Sequence, residues 1–123
     1  MTPASLEALA RALARLEPDV FILDDSFLLG GVKLSAGNTW CDAYSTALDG
    51  RGSPLVDDDR LFGAVWRCAV ARGWNCTVSN FCGDVSAKVE FDAEIDPVQA
   101  DAATPGVALA LAYCDACEDK VGL

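Results

Sequence analysis

The sequence predicts an α+β fold in which three α-helices pack an antiparallel β-sheet as a helix–sheet–helix sandwich. Two observations carry this. Three segments, opening near Thr2, Asp57 and Thr104, place apolar residues at three- and four-residue spacing behind residues that cap helices. Between the second and third, residues 74–96 alternate apolar and polar side chains at the period of a strand. With 123 residues the chain can bury a real core, and a single domain over 1–123 is expected.

The first helix has Thr2 as N-cap and Pro3 at its first position. Leu6, Leu9, Leu13 and Leu16 form its core stripe, and Pro18 ends it. Residues 19–56 carry two apolar clusters split by Asp24-Asp25, then a Gly30-Gly31 turn signal. Short extended pieces are expected at Val20–Leu23 and Phe27–Leu34, and a Gly-, Pro- and Asp-rich loop at 48–59.

Asp57 or Asp58 caps the second helix, and the acidic cluster there suits the positive end of the helix dipole. Leu61, Phe62, Val65, Trp66, Ala69 and Val70 supply its buried stripe, and Gly73 is the C-terminal stop. A β-hairpin follows, with Cys82-Gly83-Asp84 as its turn. Its return strand puts Val85, Ala87, Val89, Phe91, Ala93 and Ile95 on one face and Lys88, Glu90, Asp92, Glu94 and Asp96 on the other. Burying those carboxylates would be expensive, so this strand should be a sheet edge or extend past the helices. Pro97 closes it. The third helix opens with Thr104-Pro105, carries a stripe of Val107, Ala108, Leu111 and Ala112, and runs to about Glu118.

Nineteen acidic against nine basic side chains give a net charge of −10. That balance disfavours direct binding to nucleic acid or to an anionic membrane, since both require a basic footprint. It suits a protein that presents anions to a basic partner. The N-terminus lacks the apolar stretch of a signal peptide, and no run approaches the roughly 18 apolar residues of a membrane span. Six cysteines in such a chain read as reduced thiols. The absence of histidine removes His-based triads, Cys–His dyads and His-containing zinc sites, so no catalytic residue is assigned.

Cys114 and Cys117 form a C-x-x-C pair, but at the end of a helix beside Asp115, Glu118 and Asp119. Negative charge and the negative dipole end favour the protonated thiol, which argues against redox catalysis. One thiol should pack inward and the other lie at the boundary. A zinc site would need Cys76 and Cys82 as well, and a straight strand would hold those two about 20 Å apart. No metal or other cofactor is expected. Asp24-Asp25 and Asp57–Asp59 could offer oxygen ligands to magnesium or calcium, but neither has the calcium-loop pattern.

Glu90, Asp92, Glu94 and Asp96 are the better lead, since alternate residues of one strand place like charges about 6.8 Å apart. Asp57, Asp58 and Asp59 could extend this surface toward a basic partner protein. The competing explanation is a solvated strand face whose charge blocks aggregation.

Tyr44-Ser45-Thr46 leads into the second helix with its Ala64-Val65-Trp66. The hairpin and the run Ala100 to Ala112 complete an order that resembles the phage ABA sandwich domain family over about residues 43–117. The chain departs from that family by a long insert before the motif and by the loop at 48–59. The resemblance implies a phage or prophage protein working in the bacterial host cytoplasm, and it implies no catalytic residues. The expected function is binding and inhibition of a host macromolecule, a host-defence or nucleic-acid-processing complex, as anti-CRISPR proteins do. A structural module acting by self-association as a homodimer, through Phe27, Leu28 and Leu29, is one alternative. A small-molecule binder that sequesters a nucleotide is another, though phosphates prefer cationic or helix-N-terminal sites.

Overall fold

The computed structural model describes residues 6–24, 32–36, 39–43, 58–81, 83–91 and 96–120. In chain order these form α1 (Leu6–Leu16), β1 (Phe21–Asp24), β2 (Val32–Ala36), β3 (Thr39–Ala43), α2 (Asp58–Ala71), β4 (Asn75–Phe81), β5 (Asp84–Glu90), β6 (Val98–Ala102) and α3 (Pro105–Asp115). A π-helical turn, Ala116–Lys120, follows α3. The α+β class is as expected, with helices packed on antiparallel sheet. There are two sheets, however, each of three strands in sequential order, β1-β2-β3 and β4-β5-β6.

In α1, Leu9 and Leu13 are fully buried together with Ala10 and Ala12, and Leu16 is half-buried. Pro18 breaks the helix as expected. The Glu17 carbonyl then accepts the amides of Val20 and Phe21, which turns the chain into β1. α1 packs on the first sheet on one side and on α3 on the other.

α2 buries Leu61, Ala64, Val65, Cys68 and Ala69. The expected stripe was too wide: Trp66 and Val70 are exposed, and Phe62 is half-buried with its ring stacked on Trp66. Leu61, Val65 and Ala69 are fully buried, whereas the residue after each, Phe62, Trp66 and Val70, is half-buried or exposed. At the C-terminus the Trp74 amide bonds the Ala69 carbonyl and the Gly73 amide bonds that of Val70. This double bond pattern requires a left-handed residue, and Gly73 supplies it at φ 79°.

β4 and β5 pair in register from Asn75 opposite Glu90 to Phe81 opposite Asp84, with Gly83 in the turn between them and Asp84, expected in the turn, already in β5. β5 ends at Glu90, and the rest of the expected strand, residues 92–95, lies outside the described residues. Residues 98–102 form β6, so Ala100 and Ala102, which the family resemblance matched to the last helix, are strand residues. β6 pairs along β5 from Val85 opposite Ala102 to Val89 opposite Val98. β5 is therefore the central strand of its sheet, not the edge that was one of the two placements its charges suggested. Among the described residues of this sheet no carboxylate is buried: Asp84, Glu90 and Asp101 are all exposed.

α3 is buried from Gly106 to Cys114. A helix apolar on every side must have neighbours on every side, and α3 has α1, α2 and the β5–β6 surface. Among the described residues no helix is long and apolar enough to cross a membrane.

Candidate functional site

Strand pairing sorts the second sheet into two faces. Opposed residues share a face and successive residues alternate. Val85, Ala87 and Val89 of β5 and Val98 of β6 point to α3 and are buried. The other face is open. It holds Asn75 with Glu90, Thr77 with Lys88 and Gln99, Ser79 with Ser86 and Asp101, and Phe81 with Asp84. The Gln99 amide donates to the Ser86 hydroxyl at 2.8 Å, and the Lys88 ammonium lies 3.7 Å from the Glu90 carboxylate. Phe81, at the hairpin tip, is 79% exposed.

The expected acidic residues divide. Glu90 lies at the open end of β5, and Asp96 is exposed just ahead of β6, so the two share one end of the sheet but not one strand. Asp92, Glu94 and Asp57 lie outside the described residues, as do Phe27, Leu28, Leu29, Tyr44, Ser45, Thr46 and Cys82. Asp59 is exposed at the start of α2.

Asp58 is turned into the fold. Its carboxylate accepts from the Thr104 hydroxyl at 2.7 Å and from the Gly106 amide at 2.9 Å. Thr104 in turn accepts from the Val107 amide at 3.4 Å, so α3 is capped jointly by Thr104 and by a residue of α2. Asp84, expected in the turn, and Asp101, expected at no site, both stand on the open face with Glu90. Their signal was present: Val98, Ala100 and Ala102 alternate with Gln99 and Asp101.

A second polar constellation joins three helices. Arg72, just past α2, donates from Nε to the Tyr113 hydroxyl at 2.8 Å and from Nη2 to the Glu17 carboxylate at 3.0 Å. The Tyr113 hydroxyl donates to the same carboxylate. The guanidinium also stacks over Trp74, 5.2 Å from the ring centroid, and Trp74 meets Phe91 edge-on and Tyr113 at a tilt. Sequence reasoning passed over this group. The sign of it was a tyrosine in an otherwise apolar helix, whose hydroxyl must find a partner once buried.

The chemistry open to this cluster is narrow. Burial, then the bond to Glu17, pushes the Tyr113 phenol well above its ordinary range and keeps it neutral. Burial would lower Arg72, but its bonds to Tyr113 and Glu17 outweigh that and keep it charged. Beside it lies a groove between the end of α1 and α2, lined by Val20, Ala64, Arg67, Cys68 and Ala71. Burial followed by the Glu17 charge lifts the Cys68 thiol to about 11.

Cys114 and Cys117 are both fully buried, so neither lies at the boundary as expected. Burial, then Cys117 and Asp115, pushes Cys114 up to about 12, and burial raises Cys117 as well. Thiols in this state are poor nucleophiles. Among the described residues no three Cys, Asp or Glu side chains converge on a point that could hold a metal ion.

Comparison of the chain with protein-family models, with characterised proteins and with solved structures finds no match.

Proposed function

We propose that this chain is a non-enzymatic interaction protein that docks on a basic surface of a partner protein through the open face of β4–β6. One observation carries the reading. Among the described residues that face bears Asp84, Glu90 and Asp101 against a single ammonium, Lys88, with the exposed ring of Phe81 opposite Asp84 at the hairpin tip. An exposed aromatic ring on the same face as charged side chains is a combination that protein interfaces use. The lack of histidine and the neutral, buried thiols and phenol support a role without catalysis. A host-defence or nucleic-acid-processing complex as the partner, and a bacterial cytoplasm as the setting, rest on the Tyr44–Thr46 resemblance and on the net charge of −10.

Affinity capture from bacterial lysate tests it. The chain should retain a basic protein at about 50 mM salt and release it at about 500 mM, where screening is nearly complete. The Asp84→Lys, Glu90→Lys, Asp101→Lys triple variant should retain none. Equal capture by the triple variant would end the acidic-face reading.

A second reading, self-association as an assembly module, is favoured by α2. Phe62, Trp66 and Val70 recur there every four residues, with Trp66 38% and Val70 57% exposed. Sedimentation showing a salt-insensitive dimer that Trp66→Glu dissolves would establish it.

A further inference from the structure

We propose that the outer edge of β4 takes up an extended segment of a partner, alternating basic and apolar residues, as a fourth strand of the β4–β6 sheet. The charge assigned to that partner rests on the acidic-face reading above; the site itself rests on the strand.

The two edges of this sheet differ. β6 is five residues long, follows Pro97 and carries Asp101. Proline and charge are the usual guards against unwanted strand pairing. β4 has neither. Its seven residues, NCTVSNF, contain no charged side chain and no proline, in a chain of which 23% is charged. Its pairing with β5 runs residue for residue without a bulge. Among the described residues no strand pairs with its other side, where a row of backbone amides and carbonyls stands ready to bond.

The core also runs out one strand too soon. No residue of β4 is buried, although Ala87 and Val89, their neighbours on the same face, are fully buried. Cys76 and Val78 point to the helix side and stay half-exposed. A strand laid along β4 would cover both.

The same geometry fixes the partner's chemistry. Alternate residues of an added strand fall on opposite faces. Those on the helix side would meet Cys76 and Val78 and should be apolar. Those on the open side would lie about 10 Å, two strand spacings, from the carboxylates of Asp84 and Glu90. Lysine and arginine can span that distance. A second copy is disfavoured, since it would bring two chains of charge −10 together.

The test uses the full chain and a heptapeptide of alternating lysine and valine, with a second version N-methylated at every other amide. The unmodified peptide should bind at low salt and slow hydrogen exchange along 75–81. N-methylation, which keeps the charge but removes backbone donors, should weaken binding at least tenfold. Val78→Lys, which puts a charge on the inner side of the edge, should do the same, and Val78→Thr should bind nearly normally. If both peptides bind equally and weaken together with salt, the edge proposal falls while the acidic face stands. If neither peptide binds, the edge proposal falls. A dimer that Val78→Lys breaks would make a second copy the occupant, and would also overturn it.

Discussion

At the residue scale the tightest constraint is the meeting of Asp58 with the start of α3. A Cβ built on Gly106 would lie 2.5 Å from Asp58 Oδ1 and 2.6 Å from the Asp58 carbonyl oxygen. The carbonyl cannot swing aside without moving α2. Gly106→Ala should therefore cost about 2 kcal/mol, the range of overpacking, read from urea unfolding. Asp58→Ala removes a cap instead and should cost about 1 kcal/mol. The thiols set a pH dependence. Cys68 and Cys114 rise from an ordinary 9.0 to about 11 and about 12 in the folded chain. Between those limits the unfolded chain has lost thiol protons that the folded chain keeps. Stability from these groups is thus complete below pH 9 and declines as pH rises toward 11 and 12, by about 1 kcal/mol per pH unit for each thiol. Denaturant midpoints at pH 8 and pH 10.5 under reductant should show the fall, and Cys68→Ala with Cys114→Ala should reduce it, leaving the part that Cys117 and Tyr113 contribute.

At the element scale, Glu17, Arg72 and Tyr113 tie the ends of α1 and α2 to the last turn of α3. Tyr113→Phe leaves the ring in place but strips a donor from Glu17 and an acceptor from Arg72. A loss of about 1–2 kcal/mol is expected in thermal or urea unfolding. A double-mutant cycle with Arg72→Met should give a non-additive pair, because both changes break one network. The elements themselves were legible to different degrees. α1, α2 and the β4–β5 hairpin announce themselves by period, cap and Gly-containing turn. β3 was missed although Gly37-Asn38 separates VKLSA from TWCDA by two residues, a spacing that marks hairpins. β6 was missed because its small residues blend into the apolar run of α3. A five-residue strand of Val, Gln, Ala, Asp and Ala has little propensity of its own, and pairing with β5 creates it.

At the scale of the whole molecule, a net charge of −10 puts the folded state under self-repulsion. Raising salt from about 20 to about 200 mM should shorten the screening length severalfold and raise the melting temperature, as calorimetry would show. An unchanged melting temperature would mean that the carboxylates are too dispersed to strain the fold. By itself the sequence determined the α+β class, the existence of three helices, the hairpin, the acidity and the absence of histidine chemistry. Each of these follows from spacing or composition within a short window. Only the tertiary structure decided that there are two sheets and that β5 lies inside one of them. It alone showed that Asp58 caps another helix, and that Glu17, Arg72 and Tyr113, far apart in the chain, share a bond network. Those are pairings between distant segments, and local periodicity carries no information about which segment lies beside which.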